Sequence, residues 1–180
     1  MSEPKAECTR YRLLTFVVLA AVVVIAGCAP APAPQSPAFP IVPASSASYA
    51  RTHHDYPAAD IFAGCGTTVV APVTGTIEDV NTVDRWRRST DVGADRGGRW
   101  ISIKGDDGVR YYGSHYQSVV AGLAIGTRVS KGQQIATVGD SGNAAGTGCH
   151  VHFGLSPTCV GYAWDTRRGM FSPQPYLDSW

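Results

Sequence analysis

From about residue 51 onward, apolar and polar positions change places every one or two residues, and glycine interrupts at short intervals. That alternation predicts short β-strands, and a sustained 3.6-residue period is scarce. Residues 67–71 and 75–80 form two such runs, separated by Pro72-Val73-Thr74. Residues 100–104 and 109–112 flank Gly105-Asp106-Asp107-Gly108, whose Asp-Gly pair predicts a hairpin turn. Residues 132–139 and a run from His150 to Leu155 supply two more strands. The expected class is all-β, with no repeat of fixed period.

The pattern before residue 51 differs. Leu13 to Ala26 is an almost unbroken apolar run, preceded by Lys5, Arg10 and Arg12. It is short for a membrane span and suits the core of a signal peptide. It ends in Ile25-Ala26-Gly27-Cys28, which resembles a bacterial lipobox and implies lipidation at Cys28. The expected organisation is a leader over residues 1–28, a Pro/Ala/Ser-rich tether over 29–50, and a domain over 51–180. The lipid would hold that domain on the extracytoplasmic face of the cell membrane, in the oxidising cell-wall space. Removing residues 1–28 leaves equal numbers of basic and acidic side chains. A formally neutral mature chain argues against nucleic acid as a partner.

Candidate chemistry centres on His150-Val151-His152. On a strand, His150 and His152 share one face while Val151 and Phe153 take the other. Two imidazoles side by side suit a metal ion, or a ligand beside a general base. A glycine-rich stretch, residues 139–148, runs into the pair and leaves room for an extended substrate close to the backbone. The chain has five histidines, and the others are His53, His54 and His115. Asp60 opens a strand shortly after the first two, and His115 ends another. A hydrolytic zinc site needs three protein ligands, a group that takes the proton of the attacking water, and a donor for the developing oxyanion. The available residues fill these roles with one histidine to spare.

In this order, the motifs resemble the LytM/lysostaphin-type zinc metallopeptidases, which cut peptide bonds in bacterial peptidoglycan. The matching elements are His54 with Asp60, Tyr112-Gly113-Ser114-His115, and His150-Val151-His152. The intervening segments over 66–77 and 126–142 are similar to the family's as well. The resemblance implies antiparallel sheets of the duplicated-hybrid-motif, barrel-sandwich-like type, with loops forming a substrate groove. It implies one Zn²⁺ held by His54, Asp60 and His152, with His53 as the alternative first ligand. His150 would be the general base, and His115 would orient the water or stabilise the oxyanion. The implied function is endopeptidase cleavage of peptidoglycan stems or cross-links. The alternative is a binding domain, free of metal or weakly metal-binding, that activates other cell-wall hydrolases. One departure stands out: five residues separate His54 from Asp60, and six separate His53, where the family has three.

Three cysteines fall in the domain: Cys65, Cys149 and Cys159. A turn at Ser156-Pro157 would fold the chain into a hairpin and pair Cys149 with Cys159; Cys65 with Cys149 is the rival pairing. The charged stretch 84–99 is expected as a solvated loop, or else as a groove wall that presents Trp86 and its arginines to a ligand.

Overall fold

The structure, a computed structural model, describes residues 37–180. The expected leader, with Cys8 and the lipidation candidate Cys28, lies outside the described residues. Among the described residues, eleven short strands form two antiparallel sheets. The larger has seven strands in the order β2 (Ser48–Tyr49), β3 (Ala59–Phe62), β11 (His150–Pro157), β7 (Val109–Ser114), β6 (Trp100–Gly105), β5 (Gly75–Asn81) and β9 (Arg128–Val129). The smaller has four, in the order β1 (Ile41–Val42), β4 (Thr68–Val70), β10 (Gln134–Thr137) and β8 (Ser118–Val119). Two single-turn helices, α1 (Trp164–Arg167) and α2 (Gln174–Leu177), follow the last strand. The all-β, antiparallel expectation holds.

The core lies where the two sheets share their apolar residues. Val69, Ala136 and Val138 come from the smaller sheet and its flanks; Ile61, Ile101, Ile103, Val151, Phe153 and Leu155 come from the larger. The alternation on β11 therefore has an energetic basis. Val151, Phe153 and Leu155 are almost fully buried in this cluster, and each contributes on the order of 1.5–3 kcal/mol by leaving water. A register slip of one residue would exchange these side chains with the histidines, so burial fixes which way His150 and His152 face. The predicted hairpin joins β6 to β7: Ile103 pairs with Tyr111, and Asp107 Oδ1 accepts a hydrogen bond from Val109 N–H at 3.0 Å.

Two expectations need correction. The fold begins before residue 51. Ile41 is 0% exposed and pairs with Val69, Val70 N–H donates to the Pro40 carbonyl, and Tyr49 pairs with Ile61. The segment Phe39-Pro40-Ile41-Val42 is apolar enough to cover the edge of β4, a property that the surrounding Pro/Ala/Ser text obscures. The second correction concerns the disulfide. Cys149 pairs with Cys65, at a Cα–Cα distance of 5.2 Å, and not with Cys159. Ser156 and Pro157 do not turn; they continue β11 to its end. An extended strand rises about 3.3 Å per residue, so Cys149 and Cys159 stand far beyond the reach of a single bridge.

The Cys65–Cys149 bond closes a long loop and ties the segment after β3 to the residue before His150. Replacing both cysteines by serine is expected to cost about 2–5 kcal/mol of stability, measured by denaturant unfolding. Peptide mapping without reduction should recover residues 65 and 149 in one linked fragment.

Candidate active site

Three adjacent strands bring the chemistry together. On β3–β11–β7, Asp60 lies directly opposite His152, and His152 lies opposite Ser114. His115 follows Ser114 in the left-handed region, at φ 65°. A non-glycine residue seldom adopts that conformation; its N–H is held there by the Gly97 carbonyl at 2.9 Å. His150 lies two residues before His152 on β11, beside the Phe62 ring. All five histidines and Asp60 line one cleft of about 520 Å³.

Each of four imidazoles is oriented by a main-chain carbonyl, and a carbonyl only accepts. His53 Nδ1–H donates to Tyr56 O at 3.1 Å, His115 Nδ1–H to Ser141 O at 2.7 Å, and His150 Nδ1–H to Gly148 O at 2.8 Å. His152 is turned the other way, with Nε2–H donating to Arg168 O at 2.9 Å. In the neutral rings the lone pair is then on Nε2 of His53, His115 and His150, and on Nδ1 of His152. Two of these lone-pair atoms face Asp60: His152 Nδ1 lies 3.0 Å and His53 Nε2 3.6 Å from Oδ1. Acceptors that converge in this way need a proton or a cation between them. Burial alone would raise the Asp60 pKa, but hydrogen bonds and charge from His152 and His53 hold it well below the usual carboxylate range. Burial opposes charge on His53, and Asp60 together with the Tyr56 carbonyl outweighs it, so its pKa is raised. The donor set of imidazole nitrogens and a carboxylate oxygen matches the ligand chemistry of zinc.

His54 is placed differently from His53. Its Nε2 reaches Asp60 Oδ2 at 4.0 Å, and ligand atoms of His53, His54 and Asp60 all lie within 4.8 Å of one another. The His54 side chain is 79% exposed, however, whereas that of His53 is 5% exposed and packs on Tyr56 and His152. His115 and His150 pack against each other, with ring centroids 5.0 Å apart. Burial, with the neighbouring His152 and His150, lowers the His115 pKa to about 3, so its ring is neutral.

The glycine-rich stretch forms one wall, through Asn143, Ala144 and Thr147. Its glycines also serve close packing: a Cβ on Gly142 would sit 2.1 Å from Arg96 O. The 84–99 loop lines the cleft through Gly93, Arg96 and Gly97. Trp86 is not among the lining residues; its Nε1–H donates to Asp91 within the loop. Sequence reasoning missed the C-terminal wall, formed by Trp164, Arg167 and Arg168. Two glycines let it approach. A Cβ on Gly154 would lie 2.3 Å from Arg168 O, and one on Gly169 would lie 1.9 Å from Pro57 O. A glycine in the middle of a buried strand was the available signal.

The arrangement is that of a hydrolytic site with a metal-type donor set beside two proton acceptors. Residues 54–162 match peptidase family M23, and the chain belongs to that family. The fold is similar to the catalytic domain of the antimicrobial peptidase lysostaphin from Staphylococcus simulans, at 23% identity over 75% of this chain and 95% of that one, with a TM-score of 0.57. It is also similar to the longer lysostaphin structure, at 23% identity and TM-score 0.58, covering 82% of this chain and 56% of that one. A zinc-containing peptidase from Vibrio cholerae matches at 17% identity and TM-score 0.54, over 69% of this chain and 38% of that one. No curated protein sequence matches the chain.

Because Gly154 lets the Arg168 carbonyl reach His152, Gly154→Ala is expected to push that segment away. The loss should be about 1–3 kcal/mol of stability in chemical denaturation, with the fold retained by circular dichroism.

Proposed function

We propose that the domain is a zinc-dependent endopeptidase that hydrolyses peptide bonds in peptidoglycan stems or cross-links. The observation that carries this reading is the convergence of the lone pairs of His152 Nδ1 and His53 Nε2 on the Asp60 carboxylate, next to His115 and His150. His53, Asp60 and His152 would hold the ion. His53 is preferred over His54 because Tyr56 fixes its ring and the cleft buries it. The longer spacing to Asp60 is taken up by residues 55–58, which carry Tyr56 back to His53. When bound, zinc supplies Lewis acidity, which acidifies water and polarises a carbonyl.

The protein groups move the protons. His150, with Nδ1–H committed to Gly148, presents Nε2 as the base that takes a proton from the attacking water. The same nitrogen can return that proton to the departing amine. His115 is neutral and presents Nε2 as an acceptor, which suits orienting the water; stabilising an oxyanion would require it to gain a proton first. A binding-only role has no need of two carbonyl-locked bases beside a complete ligand set. The resemblance of residues 25–28 to a lipobox supports a location on the extracytoplasmic face of the cell membrane, lipid-anchored at Cys28, where peptidoglycan is the adjacent polymer.

Purified protein should contain about one zinc per chain and lose sacculus-digesting activity to a chelator. His150→Ala should keep its zinc and lose roughly 10²- to 10⁴-fold in turnover. His53→Ala should lose both zinc and activity, and His54→Ala should keep most of each. Protein that remains zinc-free and inactive after reconstitution would contradict the reading, and a larger loss at His54 than at His53 would reverse the ligand choice.

A further inference from the structure

Three arginines line the cleft, and two of them are already engaged. Arg96 is held by Asp91 through hydrogen bonds of 2.9 and 2.5 Å. Arg167 donates to Asp79, Tyr162 and the Ala94 carbonyl. Arg168 differs. Its guanidinium makes no side-chain hydrogen bond or ion pair among the described residues. It is held by aromatic faces instead, with Cζ 4.1 Å from the Tyr56 ring centroid and 5.0 Å from that of Trp164.

Those two rings are themselves fixed. The Tyr56 ring packs against His53 and His152, at 4.6 and 5.8 Å between centroids, and the Tyr56 carbonyl orients His53. Trp164 lies so close to Gly93 that a Cβ there would meet the indole at 2.9 Å. Stacking uses the faces of a guanidinium and leaves its N–H donors at the edge. The result is a preorganised, half-buried fork of donors on the cleft wall, in contact with the ring that touches the candidate metal ligands. A carboxylate matches that fork bidentately.

We propose that Arg168, clamped by Tyr56 and Trp164, forms a subsite for a free carboxylate of the peptide substrate. The proposal rests on the peptidase reading and adds a specificity to it: substrates with a carboxylate beside the scissile bond are preferred over their amidated forms. Peptidoglycan peptides supply such groups on side chains and at chain ends.

The test uses full-length, zinc-loaded His150→Ala protein, so that binding is read without turnover. It is titrated with solubilised peptidoglycan fragments, and with the same fragments after carbodiimide amidation of their carboxylates. The acid form is expected to bind about tenfold tighter or more. Adding Arg168→Gln should abolish that difference by weakening only the acid form, and Arg168→Lys should keep part of it. Equal binding of both forms, or an Arg168→Gln effect equal on both, overturns the subsite and leaves the peptidase reading in place. Binding of neither form contradicts the peptidase reading and the subsite with it.

Discussion

The structure depends on one constraint: an imidazole has two nitrogens, and here a backbone carbonyl claims one of them in four separate rings. Tyr56, Ser141, Gly148 and Arg168 each accept a proton-bearing nitrogen. What remains is a set of lone pairs whose positions are set by main chain and not by mobile side chains. His152 is claimed through Nε2 and the other three through Nδ1, and that difference divides the site. It turns His152 Nδ1 onto Asp60, where His53 Nε2 also points, and leaves His115 and His150 as acceptors beside them. Orientation by a second partner is the usual means of fixing a ligand or a base.

The fold exists to bring those four carbonyls into range. The central position of β11, between β3 and β7, supplies Asp60, His152 and His115 at one end of the sheet. The apolar face of β11 anchors the strand, and Cys65–Cys149 ties down the approach to His150. The Gly142 and Gly154 contacts let two loops lie against the site more closely than any residue with a Cβ would allow. The same C-terminal segment that supplies the Arg168 carbonyl also supplies its guanidinium. Residue 168 thus orients His152 through its backbone and faces the cleft with its side chain.

Much of this was legible in the chain. Alternation on residues 150–155 placed His150 and His152 on one face, because period two is a local property of a strand. The Asp-Gly hairpin was equally local. The order of the histidine motifs pointed to the M23 family, to which the chain belongs. What was not legible depended on contacts between distant residues. The Cys149 partner turned on whether Ser156-Pro157 bends, and pairing with β7 keeps it straight. The early start of the fold turned on four apolar residues covering an edge within a proline-rich stretch. The difference between His53 and His54 turned on a carbonyl three residues away, which neither spacing nor composition reports.

Everything in the site follows from four fixed tautomers. The most direct measurement is a long-range ¹H–¹⁵N correlation spectrum of the histidine rings in the zinc-loaded protein at neutral pH. Three rings should carry the proton on Nδ1, assigned to His53, His115 and His150, and one should carry it on Nε2, assigned to His152. A His152 ring protonated on Nδ1, or rings that exchange freely between tautomers, would contradict that assignment.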